Sequence, residues 1–300
     1  MKWRKLGRIY VPDGKLPWAQ VYAANPVAEH IEGDLFRIYF SSRDDKNRSS
    51  ITSLEVDIKN PGTILRAPAT PVLSPGDLAM FDDSGASIGC IVPVGRQRYL
   101  YYMGWHLTVT VPWQNALGLA ISNARDAPFI RHSRFPVVAL SETDPYTISY
   151  PWVAIENGTF RMWYGSNIAW GAEKRDMRHL IKYAVSDDGV HWTRDDTVAI
   201  DFSGPDEYAI CKPCVIKDDN IYRMWFCARG AAYRIYYAES EDGVLWRRTR
   251  EVALDVSESG WDSQMVEYPF VFDHEGDRYM LYAGNGFGKE GFGLAVLEKS

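Results

Sequence analysis

One long segment of the sequence occurs twice, and this repeat constrains the fold more than any other feature. Residues 159–192 read Thr-Phe-Arg-Met-Trp-Tyr-Gly, then a loop, then Ile-Lys-Tyr-Ala-Val-Ser-Asp-Asp-Gly-Val-His-Trp. Residues 221–246 read Ile-Tyr-Arg-Met-Trp-Phe-Cys, then a loop, then Ile-Tyr-Tyr-Ala-Glu-Ser-Glu-Asp-Gly-Val-Leu-Trp. Self-similarity of this length is typical of a repeated structural unit. We therefore expect a chain built from copies of one unit.

Weaker copies of the same aromatic strand extend the repeat over the whole chain. Corresponding positions are 39, 101, 163, 225 and 281, so the steps are 62, 62, 62 and 56 residues. Each copy has an apolar strand before it, another after it, and a fourth strand after a tight turn such as Asp188-Gly189. The pattern predicts an all-β, five-bladed β-propeller with four antiparallel strands per blade. A β-sandwich of many hairpins is the alternative, but it predicts no fixed period.

The two ends of the chain predict how the propeller closes. The last unit ends after its third strand, and the first residues, Trp-Arg-Lys-Leu-Gly-Arg-Ile-Tyr-Val, are similar to the fourth strand of other units. Residues 3–11 are therefore expected to complete the last blade, which removes an open sheet edge. The prediction is one domain over residues 1–300, with approximate blades 12–66, 67–132, 133–200, 201–254, and 255–300 plus 3–11.

Charge and composition argue against two kinds of partner. The formal net charge is −6 and the pI is about 5.6, which disfavours nucleic acid and anionic membranes. No signal-peptide pattern and no run of about 18 apolar residues is visible. We therefore expect a cytoplasmic protein that binds neither nucleic acid nor membranes. The expected ligand is a carbohydrate or another small molecule, for the reasons given by the site residues below.

Cysteine and histidine spacing predicts no metal site and no cofactor. The six histidines show no metal-ligand spacing. Cys211 and Cys214 form a lone C-x-x-C within a predicted strand, where alternation places them on opposite faces. Together with Cys90 and Cys227 they are expected to be buried thiols.

Carboxylates near the starts of the innermost strands are the predicted catalytic groups. In a propeller the first strand of each blade lines the central channel, and the loops around its start form the channel mouth. The catalytic candidates in this region are Asp83, Asp144, Glu207, Asp262 and Glu267. Glycoside hydrolysis needs two carboxyl groups, and Asp83 and Glu207 are the preferred facing pair. Turn capping by these acids is the structural alternative.

Other polar and aromatic residues near the predicted mouth are candidates for ligand contact. Trp105 and Trp170 can stack on a sugar ring, and Arg229 and Arg234 can bind a carboxylate or phosphate. Alternation predicts that only one of Glu267 and Tyr268 faces the channel. Ordinary loop packing is the alternative for each Trp. The candidate ligand-contacting residues are Asn25, Trp105, His106, Thr147, Tyr150, Trp170, Lys212, Arg229, Gln264, Tyr268 and Asn285.

The repeated turns have a structural interpretation. Residues 186–192 and 240–246 follow the pattern Ser-x-Asp-Gly-x-x-Trp, which resembles the Asp-box turn of sialidases with one residue fewer. The Asp is expected to cap the turn, and the Gly is expected to adopt a positive φ. Trp163 and Trp225, in the preceding strands, are expected to pack between blades.

Taken together, these motifs resemble the arabinanase, levansucrase and invertase superfamily of five-bladed glycosidases. The segments Phe81-Asp-Asp-Ser-Gly, Tyr101-Tyr-Met-Gly-Trp, Lys212-Pro-Cys-Val, Trp261-Asp-Ser-Gln-Met and Tyr282-Ala-Gly-Asn-Gly are more similar to an uncharacterised bacterial glycosidase-like branch. The superfamily places an Asp on the first strand of blade one, where this chain has Asn25. A shift by one blade implies Asp83 as base or nucleophile, Asp144 as stabiliser and Glu207 as acid.

The resemblance has two further implications. Gln264 stands where the closer branch implies an acidic residue, and a structural cation in the central channel is possible by analogy. Three functions follow from the residues and the resemblance together. The first is a glycoside hydrolase-like enzyme. The second is a biosynthetic enzyme that catalyses cyclisation or transfer on the same scaffold, and the third is a carbohydrate-binding propeller whose catalytic set has decayed.

Overall fold

Short strands rich in aromatic and β-branched residues make up most of the molecule. The computed structural model describes residues 1–299 apart from 172, 174 and 175. The strands of the first two units are β1 (Trp3–Tyr10), β2 (Val21–Glu32), β3 (Leu35–Arg43), β4 (Ser49–Asp57), β5 (Ile64–Arg66), β6 (Gly85–Val94), β7 (Gln97–Leu107), β8 (Trp113–Ser122) and β9 (Ile130–Arg131).

The strands of the other three units follow in the same order. They are β10 (Ile148–Glu156), β11 (Thr159–Ala169), β12 (Arg178–Ser186), β13 (Val198–Ile200), β14 (Ala209–Asp218), β15 (Ile221–Arg229), β16 (Tyr233–Ser240), β17 (Arg247–Arg248), β18 (Glu267–His274), β19 (Asp277–Ala283) and β20 (Phe292–Leu297). The fourth strand of units one to four has only two or three residues.

Strand pairing arranges these elements as a five-bladed β-propeller. Within each unit the strands pair antiparallel in chain order. The first strands β2, β6, β10, β14 and β18 contact one another in a closed cycle, so they surround a common axis. Single parallel bridges, Ser49 to Gly85 and His179 to Ala209, join neighbouring blades near the starts of β6 and β14. The predicted fold is confirmed.

The N-terminal strand closes the ring, as the sequence predicts. β1 pairs antiparallel with β20, with Trp3 opposite Leu297 and Tyr10 opposite Phe292. The fifth blade therefore consists of β18, β19, β20 and β1. Because its outer strand comes from the other end of the chain, the closure couples the two termini and leaves no inner strand without a partner.

The repeated turns form a joint between neighbouring blades. Asp188 Oδ1 accepts hydrogen bonds from the backbone N–H groups of Val190 and His191, both 2.8 Å long. Gly189 has a φ of 74°, and a Cβ there would lie 2.6 Å from the Tyr101 hydroxyl of the preceding blade. That hydroxyl donates to the Gly189 carbonyl at 2.8 Å. The turn is therefore part of the scaffold.

The large tryptophans pack between blades, which confirms their predicted role. Trp163 of blade three donates its indole N–H to the Gly243 carbonyl of blade four at 2.8 Å and packs edge-on against Trp246. Trp225 of blade four packs edge-on against Trp3 of blade five, with centroids 6.2 Å apart. Both indoles are fully buried. Aromatic pairs of this kind contribute about 0.5–1.5 kcal/mol beyond area burial.

The four cysteines are buried free thiols, as predicted. Cys211 packs in a cluster with Ala24, Tyr233 and Tyr268, whereas Cys214 packs in a different cluster with Trp225.

In the described part of the chain, α1 (Asn285–Gly288) is the only helix, and it is not long and apolar enough to cross a bilayer.

Candidate functional site

Every innermost strand is interrupted at the same point by a β-bulge. The register shifts in β2, β6, β10, β14 and β18. In four blades the residue at this point has a left-handed backbone and precedes a proline; these residues are Asn25, Tyr150, Lys212 and Tyr268, with φ of 55°, 45°, 53° and 57°. Gly89 takes the position in blade two. Left-handed non-glycine residues are uncommon and concentrate at functional sites, and bulges redirect side chains.

Two contacts between non-neighbouring blades show that these side chains meet across the channel. The Lys212 ammonium of blade four donates to the Gly89 carbonyl of blade two at 2.6 Å. The hydroxyls of Tyr150 in blade three and Tyr268 in blade five lie 3.4 Å apart. A Cβ on Gly89 would lie 2.6 Å from the Pro151 carbonyl, so this position has no room for a side chain. The structure therefore brings together three of the predicted residues, Tyr150, Lys212 and Tyr268, at the floor of the channel mouth.

Lys212 is an internal basic group without a carboxylate partner in the described chain. Its side chain is fully buried, and burial lowers the pKa of its amine. The electrostatic influence of the four surrounding cysteines opposes this effect. A buried lysine responds in this direction because the low-dielectric interior disfavours its charged form.

Glu267 is the unpaired acid of the mouth. It is fully buried, and neither carboxyl oxygen has a hydrogen-bond partner among the described residues. Burial raises the pKa of Glu267 well above its usual value, an effect that Cys211 reinforces and Arg229 opposes. A carboxyl group in such surroundings holds its proton and can donate it, as carboxylic acids in apolar catalytic sites do.

The structure corrects one expectation about this strand. Strict alternation is wrong for Glu267 and Tyr268, because the register of β18 shifts between Glu267 and Phe270. Burial raises the pKa of the Tyr268 hydroxyl and the charge of Glu267 raises it further, so the two groups share one electrostatic environment. The bulge therefore allows neighbouring residues to serve the same mouth.

Arg229 lies at the end of β15, on the same side of the mouth as Glu267. Its guanidinium is 5.5 Å from the rings of Tyr208 and Tyr233, and no carboxylate pairs with it among the described residues. His179 lies on β12 of blade three, beside β14, and donates its Nδ1–H to the Ile210 carbonyl at 2.9 Å. Burial and the positive charge of Arg229 lower the pKa of His179 to about 4, so the imidazole is neutral at pH 7.

Aromatic and cationic groups from blades one and two form the opposite side of the mouth. The Arg43 guanidinium lies 5.1 Å from the Tyr22 ring and 5.2 Å from the Trp105 ring. The Trp105 indole N–H donates to Ser49 Oγ at 2.6 Å, which fixes the ring. Burial raises the pKa of the Tyr150 hydroxyl, and the charge of Arg43 opposes this. Arg43 is thus electrostatically linked to the channel floor.

Asp144 has structural partners on every side. It accepts hydrogen bonds from the Tyr164 hydroxyl at 3.0 Å, Ser166 Oγ at 2.6 Å and the Arg194 guanidinium at 2.7 Å, and the Lys182 ammonium lies 3.3 Å away. Burial on its own would raise the pKa of Asp144, but the Ser166 hydrogen bond and the Lys182 charge lower it. The group is therefore held as a carboxylate.

The same arrangement recurs in other blades. Glu207 forms a bidentate pair with Arg248 at 2.7 and 2.9 Å. Asp262 pairs with Lys5 at 2.7 Å. In each case the acid precedes the first strand of a blade and the cation comes from its outermost strand. These carboxylates anchor the outer strands of the blades, and their predicted catalytic roles stay predictions.

Asp82 belongs to this set, and the sequence analysis did not select it. It accepts from the Tyr102 hydroxyl at 3.0 Å and from Arg131 at 2.8 Å. A spacing signal was available, because Tyr102, Tyr164 and Tyr282 each follow the acid that they bond by 20 residues.

Asp83 has a different environment from these paired acids. It is half-buried, and its oxygens accept from the Ala79 backbone N–H at 3.1 Å and from Ser84 Oγ at 2.9 Å. Among the described residues no ion pair or hydrogen bond joins it to Glu207, so the preferred sequence pair is not brought into contact. Its role as base or nucleophile stays a prediction.

The remaining predicted contacts are distributed around the rim. His106 Nδ1 lies 3.4 Å from the Phe81 carbonyl, and Trp170 packs edge-on against Trp113 at 5.6 Å. Thr147 Oγ1 accepts from the Asn115 backbone N–H at 2.8 Å.

Two more rim residues, and one arginine beside them, have well-defined surroundings. Gln264 is exposed, and its backbone N–H donates to the buried Asn285 side chain at 2.8 Å. Asn285 therefore shapes the loop before β18. Arg234 is held in an ion pair with Asp255 and by the Gln264 carbonyl, so it is not free for a ligand.

Buried polar atoms without partners occur in all five blades at this end of the molecule. They belong to Asn25, Asn115, Asn167, Arg229 and Glu267, at least one polar atom in each, as far as the described residues show. An unsatisfied buried polar group costs about 1–3 kcal/mol of stability. Hydrogen bonds from a polar ligand to these atoms would remove that cost and so favour binding. The sequence analysis missed Asn115 and Asn167, since nothing in their local pattern distinguishes them from other strand residues.

One cluster of potential metal ligands lies between the far ends of blades one and five. Ligand atoms of Asp34, His274 and Glu275 lie within 4.8 Å of one another. His274 Nε2 is 2.7 Å from Asp34, and Glu275 pairs with Lys59 at 3.2 Å. Sequence spacing could not indicate this group, because its members come from opposite ends of the chain.

The fold is similar to that of several glycoside hydrolases of known structure. A thermostable family-43 glycoside hydrolase matches with a TM-score of 0.67 at 15% identity, over 96% of this protein and 91% of that one. An endo-arabinase from Bacteroides thetaiotaomicron matches with a TM-score of 0.66 at 14% identity, over 98% and 99% of the two proteins. At these identities the likeness shows the fold alone.

Sequence comparison shows the immediate family. No protein-family model matches the chain. The protein belongs to one family with the uncharacterized proteins MT1551 and Rv1502 of Mycobacterium tuberculosis. Each is 60% identical to it over 299 residues, which is 99% of this chain and 100% of the relative.

Proposed function

We propose that the protein is a glycosidase-like enzyme that acts on a sugar or sugar conjugate in the channel mouth. The observation that carries this proposal is Glu267, a fully buried carboxyl group without a hydrogen-bond partner in the described chain. Hydrolysis of a glycoside requires a carboxylic acid that protonates the leaving oxygen, and a raised pKa suits an acid for that role near neutral pH.

In this mechanism Glu267 donates its proton to the glycosidic oxygen as the bond to the anomeric carbon breaks. Positive charge then develops on the sugar ring, and a second carboxylate activates water or attacks the anomeric carbon. Asp83 is the proposed second group, because it has no cationic partner in the described chain. The hydroxyls of Tyr150 and Tyr268 and the Asn25 amide supply hydrogen bonds to sugar hydroxyls.

The surroundings of the other acids support Glu267 rather than Glu207 as the proton donor. Arg248 binds both oxygens of Glu207, and Lys5 binds Asp262. A cation thus occupies the carboxyl group of each, so neither group is placed to meet a leaving oxygen. Only a group whose charged form is disfavoured carries a proton ready for transfer.

The test is a screen for turnover with chromogenic aryl glycosides and oligosaccharides. We expect Glu267→Gln to reduce the rate on any active substrate by about 10²–10⁴-fold, since general acid catalysis contributes that much. Glu258→Gln, an exposed acid in the loop before β18, is the matched control and should retain full activity. An active substrate whose turnover is unchanged in Glu267→Gln would refute the assignment.

A second function, sugar binding without turnover, has one observation in its favour. Asp144, Glu207 and Asp262 are engaged in ion pairs, so few carboxylates in the region are available for chemistry. This alternative predicts that sugars bind to the wild type and to Glu267→Gln with equal affinity and that neither protein turns them over.

A transfer reaction is distinguished by its product. Incorporation of an added acceptor alcohol into the product would indicate transfer instead of hydrolysis.

A further inference from the structure

Two arginines in the mouth lack the carboxylate partner that buried arginines elsewhere in the molecule have. Arg43 and Arg229 are half-buried, and neither forms an ion pair in the described chain. Apart from Arg178, which stacks on Phe202 at 4.5 Å, the other described arginines that are at least partly buried are all ion-paired. These paired residues are Arg37, Arg98, Arg131, Arg161, Arg194, Arg223, Arg234, Arg248 and Arg278.

Aromatic rings hold the two guanidinium groups instead of carboxylates. Arg43 lies over Tyr22 and Trp105, and Arg229 lies near Tyr208, Tyr233 and, at 5.9 Å, Phe287. Contact with a ring face stabilises the cation while its N–H edge stays available for another acceptor. Arg229 Nε is buried and has no partner among the described residues, and Arg43 makes one side-chain hydrogen bond, to Asn47 at 2.8 Å.

The two arginines belong to the same site as Glu267. Arg229 lies over Tyr208 and Tyr233, which pack in one cluster with Tyr150 and with Tyr268, the residue after Glu267. Arg43 lies over Tyr22 of β2, and Ala24 of the same strand packs in that cluster. Lys212, in the channel floor, adds another basic group without a carboxylate partner in the described chain. A protein with a net charge of −6 therefore concentrates these basic groups at one end of its channel, beside Glu267, whose carboxyl group has no hydrogen-bond partner in the described chain.

We propose that the substrate carries an anionic group, a carboxylate or a phosphate, on the sugar that occupies the mouth, bound by Arg43 and Arg229. Guanidinium groups bind both anions through charge-assisted hydrogen bonds, and a bound anion supplies the missing partner of each arginine. This inference rests on the proposed function, because it names the substrate class for the same site.

The experiment is calorimetric titration of the protein with D-glucuronate, D-glucose 6-phosphate and D-glucose. We expect at least one anionic sugar to bind about tenfold or more tightly than glucose, a difference of about 1.4 kcal/mol. Arg43→Gln and Arg229→Gln should each remove most of that preference. Arg96→Gln, an exposed arginine outside the mouth, should leave it unchanged. The two anionic probes distinguish a carboxylate from a phosphate ligand.

The outcomes separate this inference from the proposed function. Anion-selective binding that persists in Glu267→Gln, without turnover by the wild type, would support the inference and refute the function. Turnover of a neutral glycoside that is unaffected by Arg43→Gln and Arg229→Gln would support the function and overturn the inference. Equal affinity for glucose and both anionic sugars, or no binding of either anion in the millimolar range, would also overturn it.

Discussion

Asp144 and Glu267 are both buried acids near the start of an innermost strand, but their surroundings are opposite. Asp144 is bound by Tyr164, Ser166 and Arg194, and Lys182 lies close by. Glu267 has no hydrogen-bond partner in the described chain. The first is stabilised as a charged group, whereas the second is stabilised as a neutral acid. Position in the blade alone therefore does not determine the role of an acid.

The difference follows from repetition. The arrangement around Asp144 recurs around Asp82 and Asp262, because each of these acids is also bound by a tyrosine and a basic residue. A contact that recurs in several blades serves what the blades have in common, which is their folding. In the part of the chain that the structure describes, the surroundings of Glu267 occur in one blade alone. An unrepeated feature in a repeat protein is where function concentrates.

The largest expected effect comes from removing a repeated contact. Asp144→Asn leaves Lys182 and Arg194 without their buried counter-charge, so we expect the free energy of unfolding to fall by about 3–5 kcal/mol. Urea unfolding at pH 7 measures this change. Asp83→Asn, which loses no ion pair, should cost only about 1 kcal/mol. Equal stability of Asp144→Asn and the wild type would remove the distinction between scaffold acids and mouth acids.

The next largest effect concerns His179 and acid stability. Its folded-state pKa is about 4 and its usual value is 6.5, so the unfolded state binds the proton first as pH falls. This difference costs the wild type about 3 kcal/mol between pH 6.5 and pH 4. His179→Gln should therefore lose less stability over that range. If the free energy of unfolding falls by the same amount between pH 6.5 and pH 4 in both proteins, the imidazole is not held neutral by burial.

Glu267→Gln is expected to change stability in the direction opposite to Asp144→Asn. The pKa of Glu267 is raised on folding, so the wild type loses stability from this group as pH rises above about 4.5. At pH 7 the glutamine variant should be more stable by about 1–3 kcal/mol, because it removes an unpaired buried ionisable group. Below pH 4.5 the two should converge. A variant less stable than the wild type at pH 7 would show that Glu267 has a structural partner.

The smallest expected effect concerns the repeated turns. Asp188 caps its turn with two backbone hydrogen bonds but is largely exposed. Asp188→Asn should reduce the free energy of unfolding by about 1 kcal/mol, and Asp242→Asn should do the same because its turn makes the same hydrogen bonds. Neither should affect binding in the mouth. A loss of ligand binding in either variant would show that these turns are more than scaffold.

Sequence spacing predicted the whole fold but only part of the site. The fixed period, the Asp-Gly turns and the match between residues 3–11 and the fourth strands were enough for a closed five-bladed ring. Part of the site could be selected because three of its residues directly precede a proline near the start of an innermost strand. These residues are Tyr150, Lys212 and Tyr268, and Glu267 comes one residue earlier than Tyr268. The sequence could not show which of the five carboxylates lacks a cationic partner, because those partners lie far away in the chain. Arg194 is 50 residues from Asp144, and Lys5 is 257 residues from Asp262.

The sequence by itself determined the number of blades, the closure by the N-terminal strand and the scaffold role of the repeated segment, because these depend on local patterns that recur. Tertiary structure alone decided that Lys212 and Tyr150 reach across the channel. It also decided that, within the described residues, Glu267 has no hydrogen-bond partner and Arg43 and Arg229 have rings rather than carboxylates beside them. The physical reason is that burial and charge pairing depend on contacts between distant residues. Five β-bulges set those contacts at the channel floor.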